Sequence, residues 1–249
     1  MGYETGDGTV GKAITVLDLV ASFGRPVRFS EVLQKSNFPK PTLYRFIQSL
    51  TNQNMLSYDN ERQTYAPGLR LLRLAHAAWE QSSLAPIARP FLDNLAKSVG
   101  EAVHLAQIDS GQVLFIDKRS ASAGFDTLAQ AGQIAPAYCT GVGKVILAFM
   151  DDDLRARALQ QQAFMKYTAA THDGATALSA ELTSIRHDGV AYDREEHEAG
   201  IISIAAPILI RNDVVIGAVS VATTTSRHDL AGLEAFRPQL LKTADQIGA

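Results

Sequence analysis

Apolar residues recur at helical spacing in three consecutive segments near the start of the chain. The first runs from Ala13 to Val20 and stops before Gly24-Arg25-Pro26, where glycine and proline end a helix. The second is short and follows Ser30, a residue type that caps helix N-termini. The third begins near Pro41, and its buried stripe is predicted to be Leu43, Phe46, Ile47 and Leu50.

Two short strand-like segments follow these predicted helices. Met55 to Tyr58 and Gln63 to Ala66 flank the polar turn Asp59-Asn60-Glu61-Arg62, and Pro67-Gly68 closes the unit. Three helices followed by a β-hairpin predict an N-terminal winged helix-turn-helix.

Two strongly apolar helices are predicted next, from Leu69 to Trp79 and from Leu84 to Val99. We expect them to link the two domains. An apolar surface this wide needs a partner, which favours a symmetric dimer formed through the linker helix.

From Glu101 onward the pattern is that of a mixed α/β domain. Alternation predicts a β-hairpin around Asp109-Ser110-Gly111, and two long strands, Ile201 to Ile210 and Val214 to Thr223, flank a second turn. Helices are predicted at Gly141 to Met150, Asp153 to Gln161, Ser179 to His187 and Leu230 to Ile247. We therefore expect an α+β chain with an N-terminal arm at 1–10, a DNA-binding domain at 11–80, and the linker helix with a second domain at 81–249.

Composition narrows the classes of protein. Hydrophobic residues make up 46% and charged residues 20%, as in soluble globular proteins. The longest apolar run, Ile201 to Ile210, is far shorter than the roughly 20 residues of a membrane helix. The N-terminus lacks a secretory signal, and Cys139 is the single cysteine. We expect a cytoplasmic protein without a membrane partner, internal disulfide, metal site or cofactor.

Charge is distributed unevenly along the chain. The net charge is −3, yet eight basic residues stand against three acidic ones between Arg25 and Arg73. A locally basic segment on an acidic protein suits a DNA-binding module attached to a domain with another task. A solvated basic surface would give the same count.

The third helix carries the candidate recognition surface. With its apolar stripe turned inward, its polar side chains face outward, where Arg45 can pair with guanine and Gln48 with adenine in the major groove. Arg62 at the wing tip and Arg25 and Arg28 before the second helix are candidates for phosphate or minor-groove contacts. The full predicted set is Lys40, Pro41, Thr42, Tyr44, Arg45, Gln48, Ser49, Arg62, Arg25 and Arg28. The alternative is an ordinary solvated helix face.

A helix start in the second domain offers an anion site. Thr140-Gly141-Val142 precedes a helix whose free N–H groups suit a carboxylate. A P-loop is excluded because it needs glycine at Tyr138 and serine or threonine at Val145. Cys139 has no catalytic signature around it, and His104 is typical of a satisfied core residue.

Several short sequence motifs, which follow one another in the order found in the family, resemble those of IclR-type transcriptional regulators. The resemblance extends over nearly the whole chain. The motifs are the segment from Lys40 to Arg45, Gly100 to Ala106, Thr140 to Lys144, Gly189 to Glu196, and Ala199 to Pro207. The resemblance implies a GAF-like effector-binding domain and assembly into homodimers or homotetramers. It also implies binding to double-stranded operator DNA at promoters that a metabolite controls. Whether the protein represses or activates, and which operator it reads, stay open, although a repressor would fit the family.

The resemblance also implies an effector pocket formed by Gly141, Val142, Asp193, Ile201, Ser203 and Ser220. Asp193 would accept hydroxyl donors and the serines would hold a second polar end of the effector. Phe125 and Leu128 follow the predicted hairpin and are candidates to cover the pocket. Ser203 stands where the family often has cysteine, and Ala222 where many relatives carry serine or glycine. A hydroxyl donates better than a thiol, so the identity of the effector stays open.

Three functions are compatible with these patterns. The first is a regulator whose operator affinity is controlled by a small organic acid, an aromatic or sugar-derived carboxylate. The second is an enzyme that its small N-terminal domain dimerises, which would not need the exposed surface of the third helix. The third is a regulator that binds DNA constitutively, which the polar Ser203 and Ser220 in apolar strands disfavour.

Overall fold

The computed structural model describes residues 8–82, 84–120 and 129–249, and the chain divides into two compact units, Met1–Gln81 and Ser82–Ala249. Residues 1–7 of the predicted arm, and the candidate cover residues Phe125 and Leu128, lie outside the described residues. Gly8 to Val10, predicted as part of the arm, instead form the first turn of a helix. No helix among the described residues is long and apolar enough to cross a membrane.

The first unit is a three-helix cluster with a two-stranded wing. Its elements are α1 (Gly8–Ala21), α2 (Phe29–Lys35), α3 (Lys40–Asn52), β1 (Leu56–Asp59), β2 (Thr64–Pro67) and α4 (Leu69–Ser82). The strands pair antiparallel, and Val27 adds an isolated bridge to Tyr65 of β2. The predicted stripe of α3 is buried in the core of this unit, with Val16, Val20 and Val32 from the other two helices.

The start of α2 differs from the prediction. Helix α2 begins at Phe29, so Ser30 lies inside the first turn and is not the N-cap. The N-cap residue is Arg28, and the carboxylate of Glu31 in the first turn accepts its backbone N–H at 2.9 Å. A carboxylate near a helix N-terminus satisfies an otherwise unpaired donor and interacts favourably with the helix dipole.

The second unit is a six-stranded antiparallel sheet between helices. Its sheet order is β5-β4-β3-β8-β7-β6. The strands are β3 (Ala102–Asp109), β4 (Gln112–Ser120), β5 (Ile134–Pro136), β6 (Ala191–Arg194), β7 (Ile201–Ile210) and β8 (Val214–Thr224). The helices are α5 (Ala85–Val99), α6 (Gly141–Phe149), α7 (Asp152–Gln160), α8 (Ala175–Asp188), α9 (Leu230–Glu234) and α10 (Arg237–Gly248).

The sheet separates two helical layers. Helix α6 packs on one face, which carries alternate residues such as Ala106, Ala205 and Ala218, and α8 packs behind it. Helices α5 and α10 contact each other and the same strands, and they cover the opposite face. Small residues on the α6 face let the helix approach the strands closely.

Helix α5 packs into the second unit, where Ala88, Leu92 and Leu95 are buried. Two helix predictions need correction. The predicted helix from Leu230 to Ile247 is two helices, α9 and α10. Helix α8 starts at Ala175, one turn earlier than predicted. Ser179, the predicted N-cap, lies inside the helix, where its hydroxyl donates to the Ala175 carbonyl at 2.7 Å.

Candidate DNA-reading surface and effector cavity

The outer side of α3 presents most of its predicted residues to solvent. Lys40, Pro41, Arg45 and Ser49 are exposed, and Tyr44 is 54% exposed. Thr42 and Gln48 are half-buried, and the Gln48 side chain lies close enough to the Tyr65 hydroxyl of the wing to influence its pKa. The helix therefore offers a polar surface centred on Arg45, with Gln48 partly engaged inside the unit.

Arg45 is well placed to meet a ligand outside the unit. Its guanidinium lies 5.8 Å from the ring centroid of Phe46, and no carboxylate pairs with it among the described residues. Arg25, by contrast, forms an ion pair with Glu31 at 2.6 Å, which competes with a phosphate contact. Arg28 and Arg62 are exposed, and the Asp59 carboxylate holds the turn that carries Arg62 by accepting its backbone N–H at 3.1 Å.

In the second unit, one cavity of about 50 Å³ lies between the sheet and the N-terminus of α6. All six residues predicted for the effector pocket line it. The full lining is His104, Phe115, Ala129, Thr140, Gly141, Val142, Asp193, His197, Glu198, Ile201, Ser203, Ser220 and Ala222.

Strand register explains how distant residues converge on this cavity. Asp193 pairs with Ser203, Ser203 with Ala222, and Ser220 with His104, on neighbouring antiparallel strands. Directly paired residues point to the same face of a sheet, and so do residues two positions apart on one strand. The side chains of these residues thus form one polar patch beneath α6, surrounded by alanines.

The N-terminus of α6 forms the roof of the cavity. Thr140 is its N-cap, and the threonine hydroxyl accepts the Gly143 N–H at 3.3 Å. That leaves the N–H groups of Gly141 and Val142 at the positive end of the helix, where carboxylates bind favourably. A Cβ on Gly141 would lie 2.9 Å from the Ser203 hydroxyl oxygen, so the start of the helix lies close to the sheet at this glycine.

Asp193 gives the cavity a titratable group. Its Oδ1 accepts the backbone N–H of Glu196 at 2.8 Å, and only 7% of the residue is exposed. Burial raises the pKa of Asp193 to about 7, and the neighbouring Glu196 carboxylate adds to the rise, against the effect of Lys144. Near neutral pH this carboxyl is present in both forms, so it can donate as well as accept a hydrogen bond.

Two histidines were not predicted as lining residues. His104, interpreted from the sequence as a core residue, is buried and also lines the cavity, with its ring 5.6 Å from the Phe115 ring. His197 lines the opposite side, and burial lowers its pKa. The pairing of β3 with β8 brings His104 to Ser220, and no local pattern in the sequence reports such a distant pairing.

A larger open groove of about 740 Å³ lies elsewhere on the second unit, with Asp151, Asp152, Asp153 and Arg186 in its lining. None of the predicted effector residues lines it. The smaller cavity is the better candidate because polar side chains are buried there, which is costly unless they are satisfied or bind something. Cys139 is buried, and burial raises the pKa of its thiol, which leaves no thiolate for nucleophilic chemistry.

A helix-turn-helix unit joined to a sheet domain with a polar cavity defines a ligand-responsive DNA-binding protein. The chain matches two sequence models: "IclR helix-turn-helix domain" over residues 9–60 and "Bacterial transcriptional regulator IclR C-terminal" over residues 76–249. The chain therefore belongs to the IclR family of bacterial transcriptional regulators, and it is a regulator, not an enzyme. The predicted family and fold class are confirmed.

Individual relatives agree with this placement over nearly the whole chain. The HTH-type transcriptional regulator XynR of Escherichia coli is 27% identical over 232 residues, which cover 93% of this chain and 92% of XynR. The Thermotoga maritima IclR crystal structure is 26% identical, with a TM-score of 0.75 and coverage of 96% and 97%. An IclR homolog from Microbacterium hydrocarbonoxydans, solved with 4-hydroxybenzoate, is 21% identical, with a TM-score of 0.79 and coverage of 97% and 98%.

Proposed function

We propose that this protein is a sequence-specific DNA-binding regulator whose operator affinity is controlled by a small organic acid bound in the cavity of the second unit. The observation that supports this most is the convergence of Gly141, Asp193, Ser203 and Ser220 on one buried cavity at a helix N-terminus. Binding of the effector would shift the population between a state that binds operator DNA and a state that does not.

The effector class follows from the chemistry of the lining. A carboxylate would accept the N–H groups of Gly141 and Val142, with the Ser203 hydroxyl beside them. Asp193 lies at the same end, because its backbone nitrogen is 3.5 Å from the site of a Cβ on Gly141. Ser220 and His104, paired on β8 and β3, form the far polar end that would hold a hydroxyl group.

The relative solved with 4-hydroxybenzoate has a ligand of the proposed class, an aromatic acid with a distant hydroxyl. Phe115 supplies an aromatic wall next to His104 in this chain. We therefore propose an aromatic or sugar-derived carboxylate as the effector, with a hydroxyl opposite the acid group.

Calorimetry with a panel of such acids tests the effector site. Removing the Ser203 hydroxyl in Ser203→Ala leaves a buried ligand oxygen without a donor, so effector affinity should fall roughly ten-fold. Operator affinity of the effector-free protein should stay unchanged, as measured by fluorescence anisotropy. If Ser203→Ala binds an acid as tightly as wild type does, and that acid changes operator binding, the effector site lies elsewhere.

DNA reading by α3 is tested with a matched pair of arginine variants. Arg45→Ala should weaken operator binding by about 1–3 kcal/mol and relax sequence preference, because a bidentate contact to a base is lost. Arg157→Ala removes the same charge from an exposed position on α7 and should leave operator binding unchanged. Equal affinities of the two variants across a salt series would contradict the assignment of α3.

A further inference from the structure

A buried ion cluster lies next to the effector cavity. Lys144, in the first turn of α6, is fully buried, with 0% exposure. Its Nζ lies 2.5 Å from Oε1 of Glu196 and 2.8 Å from Oε1 of Glu181. A buried ammonium is costly unless it is paired and hydrogen bonded, so this pairing constrains where the chain around Glu196 can lie.

Glu196 connects Lys144 to the lining of the cavity. Its side chain bonds Lys144, while its backbone N–H donates to Oδ1 of Asp193 at 2.8 Å. Its carbonyl accepts the Thr171 hydroxyl at 2.6 Å, which anchors the same residue from the other side. Lys144 lies three residues after Gly141 on the helix whose N-terminus forms the roof, so the ion pair joins the roof to the Asp193 wall.

We propose that Lys144 and Glu196 are positioning residues of the effector cavity. Their ion pair holds residues 193–197 against α6 and so sets the separation between the Asp193 carboxyl and the N–H groups of Gly141 and Val142. This assignment of a cavity-shaping role rests on the proposed function, because the geometry matters for regulation only if an effector binds there.

The outer part of the cluster supplies a matched control. Glu181 also pairs with Lys144, but its other partners are His172 at 2.5 Å and Arg194 at 3.1 Å. None of these four residues is in the cavity lining. Glu181→Gln thus weakens the cluster on the side away from the cavity, whereas Glu196→Gln weakens it at the residue that bonds Asp193.

The pKa of Asp193 serves as a readout of the ion pair, because it depends on the charges of the pair and a purely structural role would leave it unchanged. The Glu196 carboxylate raises the pKa of Asp193, and the Lys144 ammonium lowers it. The Cys139 thiol and the backbone N–H groups of Glu196 and His197 also act on Asp193. The titratable side chains of His104, His197 and Glu198 line the same cavity and are kept in every variant. Glu196→Gln removes the repelling charge and keeps the ammonium, so the pKa of Asp193 should fall.

The experiment compares wild type with Glu196→Gln, Glu181→Gln and the double variant Lys144→Met/Glu196→Gln. The double variant removes both charges, so it avoids an unpaired buried ion if a single variant fails to fold. NMR titration of the Asp193 side-chain carboxyl in the effector-free proteins should show a pKa lower by about one unit in Glu196→Gln and unchanged in Glu181→Gln. Amide hydrogen exchange over residues 193–197 should be faster in both Glu196 variants.

Acetate, benzoate and 4-hydroxybenzoate are the probes for the second measurement, in which the amide signals of Gly141 and Val142 are followed. Affinity for the acid that binds wild type best should fall roughly ten-fold in Glu196→Gln and in the double variant, which is about 1.4 kcal/mol. Glu181→Gln should bind within about two-fold of wild type.

Two failures are distinguishable. If the Gly141 and Val142 amides of wild type respond to none of the three acids, the proposed effector site is wrong, and the positioning role falls with it even if the Asp193 pKa moves. If wild type responds but the Glu196 variants keep its affinity, the positioning role is overturned while the effector site stands, whether or not the Asp193 pKa moves.

Discussion

Asp193 is the residue whose chemistry depends most on its surroundings. An aspartate in water has a pKa near 4, and burial raises that of Asp193 to about 7. The backbone N–H of Glu196 offsets part of this rise by donating to Oδ1 at 2.8 Å. A carboxyl that is half protonated near neutral pH can exchange a proton when an anionic effector binds.

The raised pKa predicts a pH-dependent stability. A group with a higher pKa in the folded state contributes stability that is fully present below its unfolded pKa and is lost as pH rises through the folded value. Stability should therefore fall between about pH 4 and pH 7, by an amount on the order of 4 kcal/mol from Asp193. Urea unfolding of wild type and Asp193→Asn across this range measures it, since the asparagine variant lacks this titration.

A second aspartate, which is exposed at the end of α8, serves as the control. Asp188→Asn, two residues after Arg186 at the exposed end of α8, should follow the wild-type pH dependence. Parallel curves for wild type and Asp193→Asn would show that Asp193 does not titrate in this range.

At the scale of single elements, the first turn of α6 depends on two glycines with different roles. Gly141 lets the helix approach Ser203, while Gly143 faces the turn that precedes the helix. A Cβ on Gly143 would overlap the backbone of Ala137, which cannot move aside as a flexible side chain can. The start of α6, and with it the proposed anion site, therefore depends on positions 141 and 143 having no side chain.

Gly143→Ala should destabilise the protein by roughly 1–3 kcal/mol, the usual cost of overpacking. Gly174→Ala is the matched control, because Gly174 has extended backbone and open space where a Cβ would be added. It should change stability by about 0.5 kcal/mol or less. Chemical denaturation of both variants provides the comparison, and equal stabilities would mean that the start of α6 can shift to accept a side chain.

At the scale of the whole molecule, α4 carries large apolar side chains that are exposed. Leu69, Leu72 and Leu74 are 78%, 67% and 51% exposed. Exposed apolar surface on this scale is typical of protein–protein interfaces. We propose that α4 pairs with α4 of a second copy, so that the protein is a homodimer, or a homotetramer built from dimers.

Leu72→Glu should disrupt this association, because a carboxylate would be buried without a partner in the dimer interface. Light scattering after size-exclusion chromatography should give a lower mass than wild type. Leu154→Glu places the same charge at an exposed leucine of α7 and should keep the wild-type mass. An unchanged mass in Leu72→Glu would exclude α4 as the interface.

Much of this architecture follows from local pattern. The apolar stripe of α3, the helix start after Thr140 and the two long strands β7 and β8 are all visible in sequence, because side-chain periodicity acts over a few residues. The family resemblance also supplied six residues that line the cavity. Locally determined features of this kind needed no structure.

Other features depended on residues far apart in the sequence. His104 lines the cavity because β3 pairs with β8, and Lys144 pairs with Glu196, which lies 52 positions later in the chain. The N-cap of α2 is Arg28 and not the predicted Ser30, and Glu31, which accepts the Arg28 backbone N–H, also bonds Arg25. Local sequence was sufficient for the three N-terminal helices, the wing and the two long strands, because these depend on short-range preferences, and several short motifs in order were sufficient for the family. Only the tertiary structure decided the burial of Asp193 and the pairing of Lys144, because desolvation and ion pairing depend on which distant segments fold together.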